Sequence, residues 1–183
     1  MQNEVWTILE ENESQTVWDK IYADFKFKPQ YSKPPIPYDA FVFSLPFDEY
    51  DIQESHNWDL AEDTAQDELI ISFLIACLGE DDYLYALDWQ HTCFRYNPRI
   101  SLATKANPAF TISLEYPDGY NAYFPRFYPD GDYYFFVARD FSWGYFTHPW
   151  LKKFWVFGEK LMNLFREQSA DLDLLRVTRG NES

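Results

Sequence analysis

"YPDGDYYFFVAR", residues 128–139, is the stretch whose reading decides the fold. From Tyr133 onward its two alternating sets, Tyr133/Phe135/Val137 and Tyr134/Phe136/Ala138, are both largely apolar. Side chains on a strand point alternately to opposite faces, so such a strand has no face to give to water. It reads as the centre of a sheet covered on both sides, with the helices packed on one of them. The Tyr-Pro-Asp-Gly ahead of it repeats at 116–119, twelve residues earlier. Proline presets φ at the second position of a turn, Asp is tolerated at the third, and Gly accepts the left-handed conformation at the fourth. Both copies therefore predict a type I hairpin turn with a glycine bulge. A phosphate loop needs more glycines and a following helix, and a calcium loop needs acidic ligands over about twelve residues. Asp132, one residue past the second turn, puts a carboxylate at the head of the central strand.

Working outward, "FTISLEY" (110–116), "YNAYFPRFY" (120–128), "WGYFTH" (143–148) and "FWVFG" (154–158) join this strand in an antiparallel meander of about five. Pro125 demotes its strand toward an edge or a bulge. "YDAFVFSL" (38–45) and "YLYALDWQ" (83–90) add one or two earlier strands. Asn12 with Gln15 reads as a capping box before a helix over about 12–25, where Val17, Trp18, Ile21, Tyr22 and Phe25 recur at helical spacing. Asp59 with Glu62 gives the same signal for a helix over about 60–78 that stops near Gly79. "GEKLMNLFREQ" (158–168) supplies a third helix. "FDEYDIQESHNW" (47–58) is polar and without period, and reads as a surface loop. The expected architecture is one α+β domain over 1–183: a mostly antiparallel sheet packed by two or three helices, with a Pro-rich connector at about 28–37 and a frayed tail at about 178–183.

Aromatic residues make up 21% of the 183-residue chain, so its interior is built largely from rings. The longest apolar run, near 69–78, stops short of the ~18 residues a membrane helix needs. Two cysteines, Cys77 and Cys93, give no disulfide framework, and the first residues lack a signal-peptide pattern; both suit a reducing cytoplasm. The net charge of −15 is lopsided. Residues 1–90 hold 20 acids against 4 lysines, a net −16, whereas residues 91–183 hold 10 acids against 11 bases, a net +1. Such a field repels nucleic acid and attracts a cationic partner.

Candidate chemistry is sparse. In "DWQHTCFR" (88–95), His91 and Cys93 share one face if the strand continues, the minimum for a cysteine nucleophile. The plainer alternative is a small buried Cys near a hydrogen-bonded His. His148 of "HPW" (148–150) is held extended by the following proline and reads first as a cap on the sheet. Arg139–Asp140 reads as an ion pair or turn anchor, with anion binding as the sharper alternative. No histidine pair has zinc spacing, so no metal and no cofactor are expected; a cluster of His91, His148 and Asp132 requires that their strand ends meet.

"YALDWQHTCFRYNP", "YPDGDYYFFVARDFSWGYFTHPW" and "VFGEKL" resemble the bacterial family catalogued as domain of unknown function 2716, over about 83–162. Trp143 and Thr147 stand where the resemblance implies Phe and Gly. It singles out Asp88, Trp89, His91, Asp130, Asp132, His148 and Trp150, implies a bacterial origin, and carries no mechanism.

The leading expectation is therefore a non-enzymatic cytoplasmic binding protein of immunity or inhibitor type. Its acidic half would dock a basic protein through Asp48, Glu49, Asp51, Glu54, Asp59, Glu62 and Asp63. The alternative is a small-ligand binder or hydrolase-type enzyme with an aromatic pocket. There His91, Cys93, Asp132 and His148 are the catalytic candidates, and Trp89, Arg95, Arg139 and Trp150 contact the ligand. Neither reading calls for nucleic acid or a membrane, and both leave the oligomeric state open.

Overall fold

The computed structural model describes residues 5–30, 45–56, 64–100, 113–115 and 121–177. In chain order the elements are β1 (Trp6–Ile8), α1 (Glu11–Phe25), β2 (Phe47–Ile52), α2 (Thr64–Cys77), β3 (Leu84–Asp88), β4 (Phe94–Tyr96), β5 (Ser113–Glu115), β6 (Asn121–Tyr123), β7 (Tyr134–Ala138), β8 (Gly144–His148), β9 (Lys153–Phe157), α3 (Glu159–Gln168) and β10 (Leu174–Arg176). Eight strands form one sheet in the order β1-β4-β3-β7-β8-β9-β2-β10, and every neighbouring pair in it is antiparallel. The α+β class holds, with a larger sheet than the sequence suggested.

β7 sits inside that sheet, and its alternation sorts two cores. Tyr134 and Phe136 join Tyr50, Tyr96, Tyr145 and Phe154 against α2 and α3, which contribute Ile70, Phe73, Leu161 and Phe165. Tyr133, Phe135 and Val137 join Phe146, Trp155 and Phe157 against α1, which contributes Val17, Ile21 and Phe25. Helices therefore cover both faces, not one. The physical reason is the doubly apolar strand itself: β3, β7 and β8 are buried at every position. Each fully buried aromatic adds roughly 1.5–3 kcal/mol of burial, and edge-to-face pairs such as Phe27–Phe135, with centroids 5.1 Å apart, add to it.

The meander is contiguous only over β7, β8 and β9. β5 and β6 pair with each other in a separate two-stranded sheet, and the first Tyr-Pro-Asp-Gly lies outside the described residues. The second copy is not a hairpin turn. The chain bends through Gly131, at φ +144°, and delivers β7 to β3 and β8 rather than back to β6.

Residues 47–52 are a strand, correcting the loop reading. Tyr50 is fully buried against Phe165 and Phe154, and the acids beside it are neutralised by cations from distant parts of the chain. Asp48 accepts from Arg166 of α3 and Arg176 of β10, and Glu49 pairs with Lys153 of β9. Those cations lie more than a hundred residues away, so polarity in sequence looked like exposure. The strand expected at 38–45 and the Asp59/Glu62 capping signal lie outside the described residues, apart from Leu45. α1 begins at Glu11 with Glu10 extended before it and no side-chain cap, so Asn12 lies inside the helix. Glu11 and Glu13 in the first turn instead favour the positive end of the helix dipole. At Gly158 (φ +88°), between β9 and α3, a Cβ would fall 2.3 Å from that of Trp143, so only glycine fits.

Candidate functional site

Antiparallel pairing of β3 with β7 sets Asp88 opposite Tyr134, at the C-terminal end of one strand and the start of the other. The ladder runs one step further, because Trp89 N donates to the Tyr133 carbonyl at 3.2 Å. Asp88 shares the parity of Leu84 and Ala86, and Asp132 stands two residues before β7, so the two carboxylates meet at the same end of the β3–β7 pair. Between β3 and β4 the chain turns through residues 89–93. Asp88 Oδ1 accepts the backbone N–H of Gln90 at 3.2 Å, and this local bond carries His91 back over the strand end. His91 Nδ1 then lies 2.9 Å from Asp88 Oδ1 and 3.4 Å from Asp132 Oδ2. The carboxylates are 6% exposed and the imidazole 60% exposed, so a buried acid pair sits behind an accessible ring. The ring also lines a cleft of about 360 Å³, shared with Glu11, Ser14, Gln15 and Trp18 of α1 and with Thr92.

The electrostatics follow from that geometry. Burial pushes the Asp88 carboxyl up to about 7; the His91 hydrogen bond pulls it down, and the Asp132 charge pushes it further up. Burial opposes charge on His91, but the hydrogen bond and charge of Asp88 outweigh it, and Asp132 and Asp130 add to them. The imidazole is therefore more basic than a free histidine. Asp130 itself is engaged by Arg126 at 2.6 Å and by the Tyr134 hydroxyl.

The other expected residues scatter. Cys93 does not share a face with His91, because 89–93 is a turn and not a continued strand. Its thiol is buried, donates to the Asp88 carbonyl at 3.5 Å and is pushed up by burial, the wrong direction for a nucleophile. His148 is fully buried at the end of β8. Its Nδ1 accepts the N–H groups of Trp150 and Leu151 at 3.2 and 3.3 Å, which places the ring proton on Nε2, where no partner among the described residues meets it. Burial pushes it down to about 4. It caps the β8–β9 turn and does not reach the Asp88–Asp132 pair.

Trp89 donates Nε1 to the Tyr22 hydroxyl at 3.0 Å, and Trp150 is half-buried beside the α1-side core. Arg95 is paired with Glu13 and lies over the Tyr83 ring. Arg139 covers the other approach to Tyr83, 3.8 Å from Asp82. Asp140 anchors its turn by accepting the Ser142 N–H and hydroxyl, which lower its pKa. Of the docking acids, Asp48 and Glu49 are buried and paired, Asp51 lies 2.9 Å from Lys153, and Glu54 is exposed. Asp59, Glu62 and Asp63 lie outside the described residues.

Sequence reading alone did not place Asp88 among the catalytic candidates, nor the α1 side of the cleft. An Asp three residues before a His, just past a strand, was the available signal. No helix among the described residues is long and apolar enough to cross a membrane.

An uncharacterized protein of Bacillus subtilis (strain 168), YxiI, is 29% identical over 161 residues, covering 86% of this chain and 90% of its own. No solved structure matches the chain. The family described as "Protein of unknown function (DUF2716)" matches residues 8–162, which span every element of the Asp88–His91–Asp132 cluster, and the chain belongs to that family.

Proposed function

We propose that the protein is a hydrolase-type enzyme acting on a small ligand, with its reaction centre at Asp88, His91 and Asp132. One observation carries the reading: an accessible imidazole is held by two buried carboxylates at 2.9 and 3.4 Å and opens onto a cleft large enough for a small molecule. Asp88 fixes the ring, the paired carboxylates offset positive charge that develops at the centre, and Glu11, Ser14, Gln15 and Thr92 supply the polar contacts that orient a ligand. A water or ligand hydroxyl held at the centre is what the arrangement is suited to activate. Two free cysteines, one of them buried, support a reducing, cytoplasmic setting.

The test is turnover of chromogenic esters, phosphomonoesters and phosphodiesters by the full chain. Hydrolysis of one class, reduced about 10²-fold or more in His91→Gln and Asp88→Asn, supports the reading. Turnover of none of them, or turnover indifferent to both substitutions, sinks it.

Docking of a basic protein is the second reading, and the net −16 of residues 1–90 is what favours it. Burial of Asp48 and Glu49 leaves Glu54, Asp51 and the exposed acids of α1, such as Glu11 and Asp19, to carry it. Association that survives Glu54→Lys with Asp19→Lys, and shows no salt dependence, would dispose of it.

A further inference from the structure

Asp48 and Asp88 are equally hidden, at 5% and 4% exposure, yet they are balanced differently. Asp48 is met by two arginines, and Glu49, 9% exposed, by Lys153. Asp88 and Asp132 face one another with no Lys or Arg against either among the described residues, and His91 alone offsets them. Two buried carboxylates side by side repel strongly, and removing charge from water without full compensation costs several kcal/mol per ion. The pair is short of positive charge.

The donor set is also right for a metal ion. One ligand atom from each of Asp88, His91 and Asp132 lies within 4.8 Å of the other two. Metal–N and metal–O distances of ~2.0–2.1 Å imply ligand–ligand edges of roughly 2.8–3.0 Å in an octahedral shell and roughly 3.3–3.4 Å in a tetrahedral one. The observed separations of 2.9 and 3.4 Å from His91 Nδ1 fall within that span. The second contacts on the carboxylates suit ligation as well: Asp88 Oδ1 is fixed by Gln90 N and Asp132 Oδ1 by Tyr133 N, leaving Asp132 Oδ2 directed at the cluster. Two carboxylates with one imidazole are a mixed hard and borderline set, which selects first-row divalent ions such as Zn²⁺ or Mn²⁺ over Mg²⁺. Three protein ligands leave positions open for water, the pattern of a catalytic site and not of a closed structural one.

We infer that Asp88, His91 and Asp132 bind one divalent first-row metal ion at the end of β3 and β7, beside the cleft that His91 shares with α1. The inference rests on the reading of the same cluster as the reaction centre, and identifies the ion as what brings a water there. In that arrangement His91 is a ligand, and the bound water is made acid enough to ionise near neutral pH.

Chelator-stripped full chain is titrated with ZnCl₂ and separately with MnCl₂ by calorimetry, and metal content is measured after dialysis. One equivalent is expected, weakened about tenfold or more in His91→Gln and in Asp132→Asn, with a raised melting temperature in the wild type alone. His91→Gln alters a largely exposed side chain, so its fold survives even where the aspartate variant unfolds, and its affinity decides the matter by itself. No stoichiometric binding, or binding unchanged in His91→Gln, overturns the inference. Metal binding without hydrolysis removes the hydrolase reading and leaves the site standing; hydrolysis that resists chelation removes the metal and leaves the hydrolase reading.

Discussion

His148 converts the sequence question of catalytic or structural histidine into a measurable pH dependence. It is fully buried, and burial holds it at about 4 against an ordinary 6.5. The unfolded chain therefore takes up a proton between pH 6.5 and 4 that the folded chain refuses. Stability is complete above 6.5, falls as pH drops through that window, and levels off below about 4. A shift of about 2.5 pKa units corresponds to roughly 3 kcal/mol, about a fifth to three fifths of the stability of an ordinary domain. The perturbation is His148→Asn, whose carbonyl oxygen can still accept the N–H groups of Trp150 and Leu151 but which does not titrate. Urea unfolding of both proteins at pH 7, 6, 5 and 4 gives two curves, and carboxylates common to both cancel in their difference. The wild type should lose about 3 kcal/mol more than the variant between pH 7 and 4. Curves that stay parallel would refute the account, and a wild type that gains relative to the variant on acidification would mean that His148 finds a partner when charged.

Phe136→Ala, at a fully buried site on β7, should lower unfolding free energy by about 3–5 kcal/mol in urea melts; a loss under 1 kcal/mol would contradict the central position of β7. Asp48→Ala strips Arg166 and Arg176 of their shared partner, and because both arginines are a third to half exposed the expected loss is only about 1–3 kcal/mol. His91→Gln should leave metal-free stability within about 0.5 kcal/mol of wild type, since the ring is largely in water. Burial raises the thiol pKa of Cys77 to about 11 and raises that of Cys93 as well, so a thiol reagent at pH 7.5 should label native protein slowly and both sites at once in denaturant.

How much of this could be read from residues alone depends on where each signal lives. β7 was legible because two-sided apolar alternation is a property of five consecutive side chains. α1 and α3 were legible to within a residue or two for the same local reason. β2 was not. Its buried Tyr50 is flanked by acids whose neutralising partners, Lys153, Arg166 and Arg176, arrive from β9, α3 and β10, and no local window holds both. The second Tyr-Pro-Asp-Gly misled in the opposite sense: its four residues read as a hairpin turn, but they lead the chain into a strand that pairs elsewhere. Asp132 was suspect from sequence because it heads the central strand. Asp88 was singled out by the family resemblance alone, and that it is the partner of Asp132 became visible only when the register of β3 on β7 was known.

The lopsided charge takes on a different meaning once the pairs are traced. Glu13 meets Arg95, Asp48 meets Arg166 and Arg176, Glu49 and Asp51 meet Lys153, and Asp82 meets Arg139. Every one of these joins an acid from residues 1–90 to a base from residues 91–183. Part of the acid excess of the first half is met in this way because the sheet interleaves strands from both halves, as β2 between β9 and β10 and β3 against β7 show. Exposed pairs of this kind contribute little each, about 0–1 kcal/mol, but they set which strands tolerate being neighbours. Asp88 and Asp132 also come from the two halves, and they meet as acid against acid, with one histidine between them. Where the buried Asp48 and Glu49 are met by arginine and lysine, Asp88 and Asp132 are met by one histidine, and that contrast is the strongest reason to look for the missing positive charge in a bound ion.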